Sequence, residues 1–292
     1  WPLGTLESMP VVVENGFVRG PGTFDMKAGI VQGIFALRAL RELGHQPPAT
    51  PVWFINSDEE TGSPESKRYV RLIAKHVARA FVLEPALGPV GHLKTARKGV
   101  GRFVVRVHGK AAHSGLDPTG GASAIHELSH KILELQAMND WKNGITVNTG
   151  LVSGGSARNT IPAYAEATID VRVRTTIQAT KLETSIRALK QTINGTSIKI
   201  EGGFHRPPME RTPEIAALAE KLIKWSDKLG FKMTEESTGG GSDANLTAAM
   251  GVPSADGLGS MGENPHAEGE NIKISEQINR LALFMKAINS LS

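Results

Sequence analysis

The sequence predicts an α/β protein whose chain is interrupted by an α+β segment. Three observations support this prediction. Strands and helices alternate in the first third of the chain, the hydrophobic pattern changes between about Arg97 and Pro208, and helical patterns return afterwards. The length of 292 residues exceeds the roughly 100–150 residues that are typical of one domain, so we expect two domains.

The first predicted helix begins at Asp25 and has apolar residues at helical spacing over residues 26–43. A short apolar run at residues 51–56 is typical of a buried strand. A second such run, at residues 80–83, ends at Glu84, directly before a proline. This alternation is typical of a layered α/β sheet.

The hydrophobic pattern changes in the middle of the chain. Strand-like alternation occurs in three places: residues 103–107, 165–173 and 198–200. Amphipathic helices are predicted between them, at residues 122–138 and 177–193. Two helices on one antiparallel sheet make an α+β insert. The helical patterns at residues 214–229 and 275–291 then indicate that the first layer resumes.

The amino-acid composition excludes several kinds of functional site. The chain has 33 Lys and Arg, 29 Asp and Glu, a net charge of +4 and no cysteine. Without cysteine, disulfides and thiolate zinc sites are excluded, so a metal would need His, Asp and Glu ligands. The positive charges form no block, which argues against nucleic acid, and no apolar run reaches the roughly 18–20 residues of a membrane span. We expect a soluble chain, with the cytoplasm favoured over the periplasm.

Acidic residues follow a tight turn and the two apolar runs. Asp25 follows Gly-Pro-Gly, Glu59 and Glu60 belong to a run of three carboxylates, and Glu84 ends the second run. Ligands collect at the carboxyl ends of strands in α/β sheets, and adjacent Glu residues can serve as metal ligand and general base. His266, in a loop before the last helix, is the matching nitrogen ligand. Taken singly, these residues are more often a helix cap, a solvated acidic loop, a strand end and a surface histidine than parts of a metal site.

Other groups are suited to an anionic substrate. The glycine-rich loop around Gly240 offers backbone N–H groups but lacks the lysine of a nucleotide-binding P-loop. His113 lies in a loop after a strand, and Asn159, Arg172 and Arg206 supply side chains that suit a carboxylate. Each of these residues is also typical of an ordinary polar surface. His126 and His130 have a metal-like spacing but no evident third ligand, so we interpret them as part of a solvated or interface face.

The order of these motifs is more specific than any one of them. Over essentially the whole chain it resembles the zinc metallopeptidase family of aminoacylase and glutamate carboxypeptidase. The motifs that carry the resemblance are GPGTFDMKAG, NSDEETGS, LEP, GKAAHSG, RNTIPA, GGGSDAN and PHAE. The resemblance implies a mixed-sheet zinc-exopeptidase catalytic domain, residues 1–97 and 208–292. It also implies an inserted ferredoxin-like domain, residues 98–207, that pairs two subunits into a homodimer.

The resemblance further implies a site with two zinc ions, for which Co²⁺ or Mn²⁺ are alternatives. It assigns four ligands: Asp25 bridging both ions, Glu60 and His266 on one, and Glu84 on the other. Glu59 would be the general base that deprotonates a water bridging the ions, and the resulting hydroxide would attack an amide carbonyl. A cis peptide bond between Asp25 and Met26 is also implied.

The substrate residues are assigned in the same way. The partner subunit's His113 would polarise the substrate carbonyl, and Asn159, Arg206 and Gly240 would bind its terminal carboxylate. Arg172 matches a strand arginine of the family. The expected substrate is a small N-acyl amino acid or a peptide, from which a C-terminal glutamate or a similar amino acid is released.

One departure from the family pattern concerns the metal site. The family has a further histidine ligand, in a His-x-Asp-Thr motif just upstream of a segment that resembles residues 1–6 of this chain. We therefore expect a chain truncated at its N-terminus, with one ligand of the Glu84 ion missing and with impaired activity. Two alternatives stay open: a deacylase like acetylornithine deacetylase or succinyl-diaminopimelate desuccinylase, and a non-catalytic dimerising homologue.

Overall fold

The structure, a computed structural model, describes residues 1–290 and contains two compact units. The first unit combines Trp1–Arg97 with the chain from Met209 onward, and the second unit is Lys98–Pro208. The helices of the described residues are α1 (Thr5–Ser8), α2 (Ala28–Glu42), α3 (Lys67–Ala74), α4 (Ala124–Gln136), α5 (Thr176–Arg187), α6 (Pro213–Lys228), α7 (Ala244–Ala249) and α8 (Ile274–Ser290). The strands are β1 (Val12–Glu14), β2 (Phe17–Arg19), β3 (Ala80–Phe81), β4 (Leu93–Arg97), β5 (Gly99–His108), β6 (Thr146–Gly154), β7 (Tyr164–Val173), β8 (Ser197–Arg206), β9 (Glu235–Thr238), β10 (Ser254–Ala255), β11 (Gly262–Glu263) and β12 (Asn271–Lys273).

The second unit is a four-stranded antiparallel sheet in the order β6-β7-β5-β8, with α4 and α5 packed against it. This order and the βαββαβ sequence of elements are those of the predicted ferredoxin-like fold. Alternate residues of β5 and β7, such as Phe103 and Ile169, are buried against Leu128 and Leu135 of α4. The period-2 pattern of these strands therefore forms the core of the unit.

Two details of the second unit differ from the prediction. The strand β6 was not predicted, because as an edge strand it is largely exposed and lacks an alternating apolar pattern. Helix α5 ends at Arg187 rather than near residue 193. The backbone N–H groups of Thr192 and Ile193 donate to the buried Glu127 carboxylate instead of continuing the helix.

The first unit contains both parallel and antiparallel strand pairs. Strands β3 and β10 are parallel, as are β4 and β9, while β1, β2, β12 and β11 form an antiparallel sheet. Its core lies between α2, α6 and α8, where Ala36, Leu222 and Leu283 are fully buried. The prediction of an α/β fold with an α+β insert is confirmed.

The predicted strand at residues 51–56 is wrong, because this segment is irregular and exposes Val52 and Ile55. Its apolar residues have strand propensity, but within residues 1–290 no strand pairs with them. The run at residues 80–83 forms only the short strand β3, and β12 intervenes between the loop of His266 and α8. Leu291, the predicted end of α8, lies outside the described residues. No helix of residues 1–290 combines the length and the apolarity required to cross a bilayer.

Candidate metal centre

Asp25, Glu60 and His266 converge at one end of the first unit. Their ligand atoms all lie within 4.8 Å of one another. His266 Nε2 is 3.0 Å from Asp25 Oδ2 and 3.5 Å from Glu60 Oε1. The side chains of Glu60 and His266 are 62% and 60% exposed, whereas that of Asp25 is 17% exposed, so the cluster opens to solvent on one side. Two carboxylates and an imidazole form a donor set that fits a zinc ion.

Asp25 lies in an irregular turn that precedes α2. Gly22 adopts a left-handed conformation with φ 71°, which favours glycine, and Asp25 and Met26 have non-helical dihedral angles. The peptide bond between Asp25 and Met26 is cis, which confirms that prediction. The turn directs the Asp25 carboxylate toward His266 rather than into the cap of the helix, where its side chain makes no capping bond.

Glu59 and Glu60 lie in a single 3₁₀ turn, Glu59–Thr61, that Asp58 holds in place. The Asp58 carboxylate accepts the backbone N–H groups of Glu65 and Ser66 at 2.9 and 3.0 Å. These bonds stabilise the charged form. The hydrogen bond from the Ser66 hydroxyl has the largest effect, and together with these N–H bonds it lowers the pKa of Asp58 to about 2. Of the three consecutive carboxylates, Asp58 therefore accepts hydrogen bonds from the backbone, and Glu59 and Glu60 lie in the turn that follows it.

The acidic residues singled out in the sequence line one cavity of about 770 Å³ in the first unit: Asp25, Glu59, Glu60 and Glu84. Its other walls are largely apolar and include Ile30, Leu37 and Trp53. Asp243, which follows the glycine-rich loop, also lines the cavity and accepts a hydrogen bond from Asn56 at 2.8 Å. Carboxylates beside an apolar wall form the kind of pocket in which substrates are commonly bound.

Glu84 is buried beside two cations. Its Oε2 lies 3.6 Å from Arg97 Nη2 and 3.9 Å from Lys94 Nζ. Burial raises the pKa of Glu84 to about 8, with a further contribution from the Asp256 carboxylate, although Arg97 and Lys94 act in the opposite direction. Burial thus outweighs the two cations, and Glu84 is also a candidate metal ligand.

Arg97 and Asp256 were missed by the sequence analysis. Arg97 Nε donates to Asp256 Oδ2 at 2.6 Å, and Arg97 Nη1 donates to the carbonyls of Gly240 and Gly241 at 3.1 Å each. Ser242 also donates to Asp256, at 2.5 Å. The guanidinium thus joins Glu84 to the glycine-rich loop. The local sequence carried no signal for them, since an isolated Arg or Asp is ordinarily a surface residue.

Glu270 was also missed. Its buried carboxylate accepts the backbone N–H groups of Phe24 and Asp25. The signal in the sequence was weak, since a glutamate in a glycine-containing loop is ordinarily a surface residue.

Two of the predicted substrate residues of the second unit are in contact. His113 Nε2 lies 3.4 Å from the Asn159 side-chain amide, and His113 Nδ1 accepts the N–H groups of Gly115 and Leu116 at 3.2 Å each. Because Nδ1 is an acceptor, a neutral His113 ring carries its proton on Nε2. His113 is exposed, and its Nε2 faces the Asn159 side-chain amide.

The other predicted substrate residues have different surroundings. Arg172 pairs with Asp170 on its own strand at 2.8 Å, and the buried Arg206 is the last residue of β8. In the first unit, the Gly240 N–H faces the Thr238 hydroxyl at 3.5 Å. Whether these residues bind substrate stays a prediction.

The chain is similar to proteins of known family. Residues 95–196 match the Peptidase dimerisation domain of the M20 family. Carboxypeptidase G2 of Pseudomonas sp. (strain RS-16) is 28% identical over 99% of this chain and 70% of its own length. A succinyl-diaminopimelate desuccinylase of Stenotrophomonas maltophilia (strain R551-3) is 26% identical over 96% of this chain and 76% of its own length.

Solved structures share the fold. Aminopeptidase PepT from Bacillus cereus superposes with a TM-score of 0.77 at 22% identity, covering 96% of this chain and 76% of that chain. The M20 family metallo-carboxypeptidase Sso-CP2 from Sulfolobus solfataricus superposes with a TM-score of 0.69 at 17% identity, covering 99% and 83% of the two chains. The similarity therefore extends through both units.

Proposed function

This chain belongs to the M20 peptidase family of hydrolases, and from that premise we propose that it releases a C-terminal glutamate or a similar amino acid from an N-acyl or peptide substrate. The observation that carries the proposal is the cluster of Asp25, Glu60 and His266 in a cavity that Glu59 also lines. A clustered set of metal-binding side chains beside a carboxylate that can act as a general base suits the hydrolysis of an amide.

Asp25, Glu60 and His266 would hold one divalent ion, with zinc the first choice and Co²⁺ or Mn²⁺ as alternatives. The ion, when bound, polarises the substrate carbonyl and makes water more acidic. A second ion would share Asp25 and add Glu84. The second ion would thus have two of these protein ligands and the first ion three, so we expect the first ion to be held more tightly. Metal analysis of Glu84→Ala tests this: the variant is expected to keep one equivalent of zinc, and losing it would contradict the assignment.

Glu59 is proposed as the general base. It is half-buried, lines the same cavity as the ligands and is adjacent in sequence to Glu60. Its carboxylate would take a proton from the attacking water and deliver it to the leaving amine. Because Asp58 is engaged with the backbone, Glu59 is the carboxylate of the run best placed for this work.

The second unit is proposed to contribute to substrate binding and to dimerisation. The partner subunit's His113 would donate its Nε2–H to the substrate carbonyl oxygen, which accumulates negative charge during attack. Asn159, Arg206 and the N–H of Gly240 would bind the substrate carboxylate, and Arg172 would support this unit through Asp170. Strand β6 leaves one edge of the sheet open, and its exposed Leu151 and Val152 suit pairing with a second copy of the chain.

A second candidate function is deacylation of an N-acyl diamino acid. The similarity to a succinyl-diaminopimelate desuccinylase favours it, since that relative is matched over nearly the same length as the carboxypeptidase. Both substrates are amides that carry a carboxylate beside the scissile bond, so the same metal centre serves either.

The experiment compares substrates on the full chain reconstituted with zinc. Release of free amine is measured from an N-acyl-glutamate, from N-succinyl-diaminopimelate and from N-acetylornithine. We expect the N-acyl-glutamate to have the highest kcat/KM, and a preference for either other substrate would overturn the carboxypeptidase assignment.

A matched pair of variants tests the base. Glu59→Gln is expected to lower kcat about 10²–10⁴-fold while zinc stays bound. Glu65→Gln, which makes the same change at an exposed position a few residues away, is expected to leave kcat unchanged. Bound zinc with no hydrolysis of any of the three amides would instead favour the non-catalytic dimerising homologue.

A further inference from the structure

Glu270 is a fully buried carboxylate that the proposed reaction does not use. Its Oε1 accepts the backbone N–H groups of Phe24 and Asp25 at 2.9 and 2.8 Å. Its Oε2 accepts the backbone N–H of Gly22 at 2.5 Å and the indole N–H of Trp1 at 3.1 Å. Both oxygens are therefore occupied by donors, and three of the four donors belong to the turn that carries Asp25.

That turn needs an acceptor from elsewhere in the chain. Gly22 is left-handed and Asp25 has φ −115° and ψ 98°, so the turn does not follow a regular helix. Moreover, the first N–H groups of any helix lack partners within it. A buried N–H without an acceptor is unfavourable, and bonds to an ionised acceptor are short and strong. The Glu270 carboxylate supplies these acceptors and so fixes the backbone on which Asp25 stands.

Glu270 also belongs to the loop that carries His266. Two successive turns link them: the N–H of Ala267 donates to the carbonyl of Asn264, and the N–H of Glu270 donates to the carbonyl of Ala267, at 3.2 Å each. The carbonyl of Glu270 accepts the N–H of Gly20 at 3.1 Å. The loop of His266 and the turn of Asp25 are thus joined through both the backbone and the side chain of one residue.

We propose that Glu270 is a positioning residue for the metal centre. It fixes the positions of Asp25 and His266 relative to each other, so that both can ligate one ion. In the structure, Asp25 Oδ2 and His266 Nε2 lie 3.0 Å apart. Glu270 acts only through N–H groups and does not reach the ion itself. The inference rests on the metal centre proposed above, and it adds a determinant of metal affinity that lies outside the ligand set.

The test measures zinc affinity in the full chain by competition with a chromophoric chelator. Glu270→Gln is expected to weaken zinc binding about 10–100-fold, the usual effect of removing a partner that orients metal ligands. The amide has one acceptor in place of two, and its NH₂ group would face the N–H donors of the turn. Glu270→Asp keeps the charge but shortens the side chain, so it is expected to weaken binding as well. Glu268→Gln removes the same charge at an exposed position of the same loop, and this variant is expected to bind zinc like the parent.

A spectroscopic readout separates positioning from general stability. Substitution with Co²⁺ gives a visible spectrum that depends on the arrangement of ligands, and we expect it to change in Glu270→Gln and Glu270→Asp but not in Glu268→Gln. Zinc affinity within threefold of the parent, together with an unchanged Co²⁺ spectrum, would overturn the proposal even if the variants unfold more easily. If Glu270→Gln does not fold, the same two measurements on Glu270→Asp decide the matter.

His266→Ala distinguishes failure of this inference from failure of the proposed function. If His266→Ala binds zinc as tightly as the parent, the metal centre itself is wrongly assigned. If His266→Ala loses zinc while both Glu270 variants retain parental affinity, the metal centre stands and only the role of Glu270 is refuted.

Discussion

Loss of the Arg97 guanidinium is predicted to destabilise the first unit strongly. Arg97→Met keeps much of the aliphatic volume but removes the guanidinium. Asp256, which is fully buried, then loses its ion pair at 2.6 Å, and Glu84 loses the closer of its two cations. The carbonyls of Gly240 and Gly241 lose their donor at the same time.

The magnitude follows from the burial of the pair. Breaking a buried ion pair by removing one partner costs about 3–5 kcal/mol, because the remaining charge stays in a medium of low polarity. Asp256 retains hydrogen bonds from Ser242 and the N–H of Gly257, which places our expectation near the lower end, at about 3 kcal/mol. Arg38→Ala is the matched control. Its partner Glu42 is exposed, and such surface pairs contribute about 0–1 kcal/mol.

The assay is urea unfolding followed by tryptophan fluorescence, in the presence of a chelator so that bound metal does not contribute to stability. Of the four tryptophans, Trp141 alone lies in the second unit, and it is exposed. In a Trp141→Phe background, the fluorescence therefore reports on the first unit. A loss below about 1 kcal/mol for Arg97→Met, similar to the Arg38→Ala control, would refute the view that this buried pair holds the unit together.

Two further predictions concern the packing and the buried charges. In the second unit, burial raises the pKa of Glu127, but N–H bonds from Ile193 and Thr192, the Thr196 hydroxyl and Lys131 outweigh it and leave the pKa lowered. A lowered folded-state pKa contributes stability above the unfolded value of about 4.3 and loses it as the pH falls. We therefore expect Glu127→Gln to destabilise the unit by about 3 kcal/mol at pH 7 and by progressively less below pH 4. Amide hydrogen exchange in β7 measures this difference in stability, and a difference that does not depend on pH would contradict the prediction. In the first unit, a Cβ at Gly29 would lie 2.1 Å from the carbonyl oxygen of Leu83, so Gly29→Ala is expected to cost about 2 kcal/mol in urea unfolding. Gly239→Ala, where a Cβ has no neighbour within 4 Å, is its control, and equal effects of the two would show that the close approach is not limiting.

The sequence predicted the second unit better than the first. Ile169 lies in a strand that alternates throughout and Phe103 in one that alternates from Gly101 onward, so their pattern identifies a sheet with one buried face. The edge strand β6 has no such pattern, because most of its residues face solvent. At residues 51–56 the apolar run predicted a strand that the structure does not have, since apolar residues alone do not supply a hydrogen-bonding neighbour.

At the candidate site, short motifs identified the groups that would act on substrate or metal. Asp25 and His266 were singled out from their local sequence, and the structure brings them to within 3.0 Å. Glu270, Arg97 and Asp256 were not, because each acts through contacts with residues far away in the chain. Local sequence gives no measure of such contacts, since an isolated Glu or Arg is ordinarily a surface residue.

The division of the first unit into two stretches of chain has a consequence for the order of folding during synthesis. The second unit is continuous and leaves the ribosome while half of the first unit has yet to be made. At about 5–20 residues per second, the chain from Met209 onward takes several more seconds to appear. During that interval the segment that bears Asp25, Glu60 and Glu84 is present without α6, α8 and the loop of His266, so its apolar surfaces lack their partners. We expect the segment Trp1–Arg97 to be exposed to chaperones and proteases during this interval, and Asp25, Glu60 and His266 to come together only after the loop of His266 has been made.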